Sequence, residues 1–566
     1  MRHTKFLLSI FSIFGCFGFS LAQSPVENAA NPDNEKIIKV ALCKGDATKA
    51  IQKAIDTATK FKDRHVRIML APGKYHISRA MASTYPYHVS NTTNEYENPD
   101  PTKHIGLWFR NMENVTFDGN GATLITHGEM TSFVIDSCKN VKLTNFSLDA
   151  ADPSVPEIKI LEKDNSGFSF EVTPPSNFVV DNNLFYFKGE GWTFGDGGKL
   201  TNLPEYAQVF YPERNVTLRK AYPLANYSKV EKTGDRTVRM EFENVPDVNP
   251  GEFYQLRHTI RNEVCGFINM SKDIELSDIN FYFMGNFGLV GQFTENITYD
   301  NIKCRPEQNS GRTDTGFADF VQMSSCKGKL TIRNSHFEGA HDDPINIHGT
   351  HLQAITSEGP DKLTVMYRHG QTFGFTPFFE GDDVEIVDIH TLNPLSAAVV
   401  KEVTQIDDYT FEVTLDRNIP TLPEGYKISD LAIENVTWTP EVEITGNYFA
   451  RIPTRGILIT TRGKSLIADN TFFRIPMASI LVADDARNWY ESGPVKDLTI
   501  RNNTFIECSN PVISVAPEVE KFNRPVHENI VIEGNTFIGE RANIFNLNGV
   551  DNVVIKNNIF KPSTTL

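Results

Sequence analysis

After its first 22 residues the chain has no apolar run approaching the roughly 20 residues that a membrane helix needs. No membrane span is therefore expected. Positive charge is also in deficit: 55 Lys and Arg stand against 71 Asp and Glu, a formal net charge of −16. Phosphate backbones need a basic face, so nucleic acid is excluded as a partner, and a neutral or weakly charged ligand fits better. Cysteine is sparse, seven in 566 residues, and none has the short paired spacing of a zinc site or a redox motif. No cofactor or metal ligand set is legible. Cys43, Cys138, Cys265, Cys304, Cys326 and Cys508 read chiefly as small buried residues.

The N-terminus has what the rest of the chain lacks. Arg2 and Lys5 precede an apolar run from Phe6 to Phe19, and Ser20-Leu21-Ala22 offers a small-x-small cleavage site before Gln23. Residues 1–22 are read as a signal peptide and the mature protein as exported, a compartment that would permit disulfides. Cys16 after Gly15 is the alternative, a lipoprotein acceptor, against which the bulky Phe14 counts.

The chain is repetitive. The segments EITGNYF (443–449), LIADNTF (466–472), TIRNNTF (499–505), VIEGNTF (531–537) and VIKNNIF (554–560) share a strand, a polar turn with Asn, and a Phe. The phenylalanines are 23, 33, 32 and 23 residues apart, a coil length rather than a domain length. Eight and ten residues after Phe449, Phe472, Phe505 and Phe537 come Ile457 and Ile459, Ile480 and Val482, Ile513 and Val515, and Phe545 and Leu547. The same offsets from Phe337 reach Ile345 and Ile347. Alternation at a spacing of two, repeated at a fixed coil period, is the pattern of an all-β, right-handed parallel β-helix. The regular Leu-x-x-Leu-x-Leu frame of a leucine-rich repeat is absent.

Weaker copies in NVTFDGNG (114–121), NVKLTNFSL (140–148), DIELSDINF (273–281) and NITYDNIKC (296–304) carry the solenoid back to about residue 40. Ahead of them, residues 46–58 place Ala50, Ile51, Ala54, Ile55 and Ala58 on one face of a helix behind the N-cap candidate Asp46, a lid for the open end of the solenoid. Two stretches break the rhythm with alternating strands and Gly, Pro and Asp turns, and are expected to be inserted small antiparallel β-barrel domains. The expected organisation is cap and first coils at 23–150, one insert at 151–262, coils at 263–351, a second insert at 352–440 and the last coils at 441–566. Insertions in repeat arrays commonly gather on the binding face.

One region crowds polar and acidic residues onto a coil. In GRTDTGFADFVQM (311–323) and EGAHDDPINIHG (338–349), aligning Val321 and Met323 with Ile345 and Ile347 puts Asp319 in one column with Asp343, and the next coil puts Arg455 there. Rungs roughly 4.8 Å apart then stack two carboxylates and a guanidinium, with Asp342 alongside. Carboxylates that close repel, so at least one has a raised pKa, the condition under which a general acid and a general base coexist. Asp-Asp-Pro alone is ordinary turn chemistry, and the vertical coincidence is what argues for catalysis. Gln322, Asn346 and His348 point to the opposite side from Ile345 and Ile347 and are candidate ligand contacts, as are Arg312, Asp314 and Arg455. The long coil between Phe472 and Phe505 puts its surplus in DDARNWYESG (484–493), where Trp489 and Glu491 offer the aromatic platform and polar rim that suit a pyranose. Trp192 in GEGWTFGDGG (189–198) is a weaker rim candidate.

Taken together, TGFADFVQ (315–322), GAHDDPINIHGTH (339–351) and WYESGPV (489–495), on a β-helix with two inserted β-domains behind a signal peptide, resemble glycoside hydrolase family 110, the α-1,3-galactosidases of Bacteroides and relatives. The resemblance spans nearly the whole mature chain. It implies an exo-acting, metal-independent enzyme that inverts configuration while removing terminal α-1,3-linked galactose from blood group B glycans and, in one subgroup, from linear Gal-α-1,3-Gal. It implies that the three catalytic aspartates are Asp319, Asp342 and Asp343, and that the protein works in the periplasm or at the cell surface of a Gram-negative bacterium. The partner is a glycan with terminal α-galactose, and nothing in the sequence speaks against a homo-oligomer. The rival readings are another β-helix polysaccharide hydrolase or lyase, disfavoured because few Lys and Arg besides Arg312, Arg455 and Arg462 accompany the acids, and a non-catalytic adhesin, which would need no acid column.

Overall fold

The computed structural model describes residues 35–195, 205–257, 260–422 and 424–563. The signal-peptide reading and Cys16 lie outside them. The chain winds into a parallel β-helix whose first sheet starts with Lys36–Val40, paired in parallel with Val66–Leu70, and continues rung upon rung to Val550–Lys556. A second parallel sheet runs from Thr102–Arg110 through Thr131–Asp136, Gly266–Asn269, Leu289–Gln292, Val321–Ser324 and Ile345–Ser357 to Phe545–Leu547. Its ladders pair Val321 with Ile345 and Ile345 with Ile457, the register expected from the offsets.

The repeated Asn and Phe each have a physical task at the corner of the coil. The residue before each Asn, namely Gly446, Asp469, Asn502, Gly534 or Asn557, has φ between 55° and 68°. That left-handed corner is tolerated by Gly, Asn and Asp, which explains why only those types occupy it. The next side chain turns inward and forms a ladder: Asn447 Nδ2 donates to Asn470 Oδ1, Asn470 to Asn503 and Asn503 to Asn535, each at 3.0 Å. Each amide also donates to a backbone carbonyl of an earlier coil, so these buried groups are satisfied. Behind them Phe337, Phe449, Phe472, Phe505, Phe537 and Phe560 stack with centroids 4.7–5.3 Å apart.

The capping helix is Thr48–Ala58, the one α-helix among the described residues. It begins one residue later than an Asp46 cap would set, with Ala47 at the cap position, and Asp46 Oδ1, one residue further out, accepts from the Thr48 amide at 2.8 Å. The buried face is Ala47, Ile51, Ala54, Ile55 and Ala58, while Ala50 is exposed. At 100° per residue Ala47 falls in line with Ile51, Ala54, Ile55 and Ala58, and Ala50 sits on the flank. All six cysteines of residues 35–563 are free, and Cys138, Cys265, Cys304 and Cys326 are buried.

Two antiparallel bodies with their own cores are inserted into the solenoid. The first is a seven-stranded sheet, from Glu157–Lys163 to Phe253–Gln255, packed with a three-stranded sheet over Phe178–Phe194. The second is a closed barrel of six strands, including Lys362–Met366, Asp383–Asp388, Pro394–Gln405, Thr410–Leu415 and Leu431–Asn435. Its sixth strand is Ile345–Ser357, which starts as a solenoid rung and ends inside the barrel. That continuity ties the barrel rigidly to the coil bearing Asp342 and Asp343.

Candidate active site

Asp319 and Asp343 each sit two residues before a rung of the second sheet, and the Val321 amide donates to the Pro344 carbonyl at 2.9 Å, locking the two coils together. The coil before them carries Gly288, where a Cβ would lie 2.2 Å from the Phe320 carbonyl oxygen and 2.4 Å from that of Asp319. Only glycine lets that chain pass so close beneath the acid.

The three aspartates line one cavity of about 390 Å³ together with Asn91, Arg261, Gln322, Asn346, Arg455, Leu458, Trp489 and Glu491. Their environments differ. Asp319 is buried, and among the described residues no group hydrogen-bonds its carboxyl. Burial first, then the charges of Asp342 and Asp343, push its pKa well above the carboxylate range, against the pull of Arg261. Asp343 is 2 % exposed and accepts from Arg455 Nε at 2.9 Å and from the Arg455 amide at 3.2 Å. Burial raises it to about 6, with Arg455 opposing and Asp342 reinforcing the rise. Asp342 is the most open of the three, its side chain 29 % exposed, and it stands 3.8 Å from the Arg455 guanidinium and 3.9 Å from that of Arg219. One acid kept neutral beside two carboxylates oriented by cations is an arrangement able to donate a proton on one side and hold a water on the other.

The outward positions of the same rungs form a polar wall. His348 Nδ1 donates to the Gly349 carbonyl at 2.7 Å, leaving Nε2 to accept from Gln322 Nε2 at 3.1 Å. Glu491 Oε1 accepts from Asn91 Nδ2 at 3.1 Å and from Asn346 Nδ2 at 3.3 Å. Gln322 Oε1 and Asn346 Oδ1 are buried with no partner among the described residues, acceptors left for hydroxyl groups of a ligand. Trp489 is 46 % exposed at the mouth, its ring centroid 4.3 Å from that of His369 in the second insert. Its loop is held by Asp485, whose carboxylate accepts from the amides of Arg487, Asn488, Trp489 and Tyr490.

Eight expected site residues thus meet in one cavity, with His348 immediately behind it. Arg312 and Asp314 do not. Arg312 donates to Asp149 at 2.8 Å, and Asp314 is buried beside Glu157 of the first insert, away from the cavity, with burial and that neighbour raising its pKa. Trp192 is a core residue of the first insert, and Arg462 is paired with Glu434 and Glu385 inside the second. Asn91, Arg261, Arg219 and Leu458 are the contacts that sequence reasoning missed. Leu458 had a signal, since it pairs with Asn346 in the ladder and so occupies the next outward position. Asn91 and Arg261 lie in non-repeating connections and are placed by Thr372, which donates to Asn91 Oδ1 at 2.9 Å, and by Gln371, which accepts from Arg261 at 2.6 Å. Among the described residues no group of three His, Cys, Asp or Glu side chains is arranged to hold a metal ion.

Comparison with known proteins gives two matching family models, one described as GLAA-B beta-barrel domain II over residues 362–430 and one as right handed beta helix region over residues 429–560. A protein named alpha-1,3-galactosidase A from Bacteroides thetaiotaomicron is 44% identical over 527 residues, covering 93% of this chain and 91% of that one. One of the same name from Streptomyces avermitilis is 39% identical over 87% of this chain and 81% of its own length. An alpha-1,3-galactosidase B from Parabacteroides distasonis is 29% identical over 88% and 83%.

Proposed function

The chain belongs to glycoside hydrolase family 110, the α-1,3-galactosidases, and from that membership we propose that it releases terminal α-1,3-linked galactose one residue at a time, with inversion, from branched blood group B type and linear glycans. The observation that carries the proposal is the contrast between neutral, unbonded Asp319 and the pair Asp342 and Asp343 gripped by Arg455.

In this mechanism the Asp319 carboxyl protonates the departing glycosidic oxygen. Asp343, ionised above about pH 6, and Asp342 orient a water and accept its proton as it attacks the anomeric carbon from the other face. Direct displacement needs roughly 6.5–9.5 Å between acid and base, and carboxyls on separate rungs can part that far. Gln322 and Asn346 offer acceptors to the sugar hydroxyls, while Trp489 presents an apolar ring face. The N-terminal segment supports export to the periplasm or cell surface.

Incubation with p-nitrophenyl α-galactoside, the blood group B trisaccharide and linear Gal-α-1,3-Gal tests the proposal. Galactose release from the trisaccharide is expected. Hydrolysis of the aryl glycoside without release from either α-1,3-linked oligosaccharide would reject the linkage assignment, and no turnover of any of the three would favour a glycan-binding role.

A further inference from the structure

A second cavity lies behind the wall that Asn91 contributes to the catalytic one. It is lined by Lys103, His88, Glu95, Phe373 and Asp408 among others. Its walls are fixed. Tyr87 donates to Asp136 at 2.7 Å, the Ser90 amide donates to Gln292 at 3.0 Å, and Gly374 of the second insert packs so tightly on His88 that a Cβ would come within 2.2 Å of the imidazole.

Lys103 is 3 % exposed, and among the described residues its amine has neither a hydrogen bond nor an ion pair. The carboxylates that could serve it are engaged elsewhere. Glu263 accepts from Thr131 Oγ1 at 2.7 Å, from Arg79 at 3.0 Å and from the His104 amide at 3.1 Å, and Asp100 caps the Thr102 amide at 2.9 Å. The Lys103 stem is buried and its amine faces the cavity, where water or an entering group supplies the acceptor. The entrant also meets Glu95 and Asp408, both exposed, which accept hydrogen bonds and repel anions, and the ring of Phe373, which lies stacked on Tyr409 at 4.7 Å. An acceptor for the amine, donors for the two carboxylates, an apolar surface for the aromatic wall and no net charge describe a sugar ring.

We infer that this cavity is a second saccharide site, separate from the catalytic one, that holds a neutral sugar residue through the Lys103 amine and the Glu95 and Asp408 carboxylates. The inference uses the proposed glycan specificity only to choose a probe. Burial lowers the Lys103 pKa, with Glu263 and Asp100 opposing, so more of its amine is unprotonated than at an exposed lysine, and acetic anhydride that enters the cavity can acylate it.

The test is competitive acylation of the full chain with acetic anhydride, read peptide by peptide by mass spectrometry, with methyl β-galactoside as probe. At about ten times the dissociation constant Lys103 labelling should slow about tenfold, because only free sites react. Exposed Lys49 should keep its rate, and Asp408→Asn should weaken the protection. Lys103→Met should leave turnover of p-nitrophenyl α-galactoside unchanged. Unaltered labelling at saturating sugar, or protection by glucuronate in preference to the neutral glycoside, would overturn the assignment. Loss of aryl-galactoside turnover in a folded Lys103→Met protein would overturn the separation from the catalytic site.

Discussion

Replacing Arg455 by Gln should move the acidic limb of the pH–activity profile upward. Arg455 donates two hydrogen bonds to Asp343 and opposes the burial that raises that carboxyl to about 6. An opposite charge at this range lowers a carboxyl pKa by roughly 1–3 units, and because the Arg455 side chain is 32 % exposed, solvent screening argues for the low end, about one unit. The sign follows from the proposed role. Asp343 works ionised, so kcat/KM rises as it loses its proton, and without the guanidinium that loss waits for a higher pH. With the limb moved from about 6 to roughly 7, kcat/KM at pH 7 falls from about nine-tenths to about half of its plateau, and at pH 5 it drops about tenfold. Measuring kcat/KM for p-nitrophenyl α-galactoside from about pH 4 to about pH 9 separates this displacement from a uniform loss caused by misplaced groups. Arg455→Lys, which keeps the charge, should return the limb most of the way. An acidic limb that stays in place in Arg455→Gln would refute the assignment of Asp343 as the ionised partner.

Three further outcomes follow from the same structure. Asp319→Asn should fold normally and lose roughly 10²–10⁴-fold in kcat, the usual worth of a general acid, and near-normal turnover would show that the buried carboxyl is not the proton donor. Trp489→Ala should raise KM roughly tenfold, equivalent to about 1.4 kcal/mol of sugar stacking, with a smaller effect on kcat; an unchanged KM would remove the ring from the substrate path. Asn503→Ala breaks the ladder in mid-solenoid, removing the acceptor of the Asn470 backbone amide and one of the two acceptors of Asn470 Nδ2, and should cost about 1–3 kcal/mol in denaturant unfolding, whereas a neutral result would mean that water replaces the amide freely.

Periodicity made the solenoid legible because each coil must bury the same face at the same offset. Phe449, Phe472 and Phe505 could be aligned by eye, and the column Asp319, Asp343 and Arg455 followed from the register of Ile345 and Ile457. Gly446, Asp469 and Asn502 carried the left-handed corner in their residue types. The errors came where the repeat stops informing. Arg312 and Asp314 share the acidic stretch with Asp319, but Arg312 bonds back to Asp149 and Asp314 is buried beside Glu157 of the first insert, a tertiary choice that local charge density does not report. Trp192 was a candidate for the pocket rim, yet a Cβ on Gly189 would touch the indole at 2.1 Å, so the glycine is there to let the ring lie buried against the backbone. Asn91 and Arg261 reach the cavity from connections whose paths are set by contacts with the second insert, at Thr372 and Gln371.

The central claim is that water, rather than an aspartate, attacks the anomeric carbon. A covalent intermediate would use one of the carboxylates facing Asp319 as the nucleophile and leave the other without a task, whereas Asp342 and Asp343 side by side, on the rung next to that of Asp319, suit the holding of a water. Proton NMR of a fresh digest of Gal-α-1,3-Gal should therefore show β-galactose first, with the α anomer growing in only at the rate of mutarotation. Appearance of α-galactose as the first product would contradict the account.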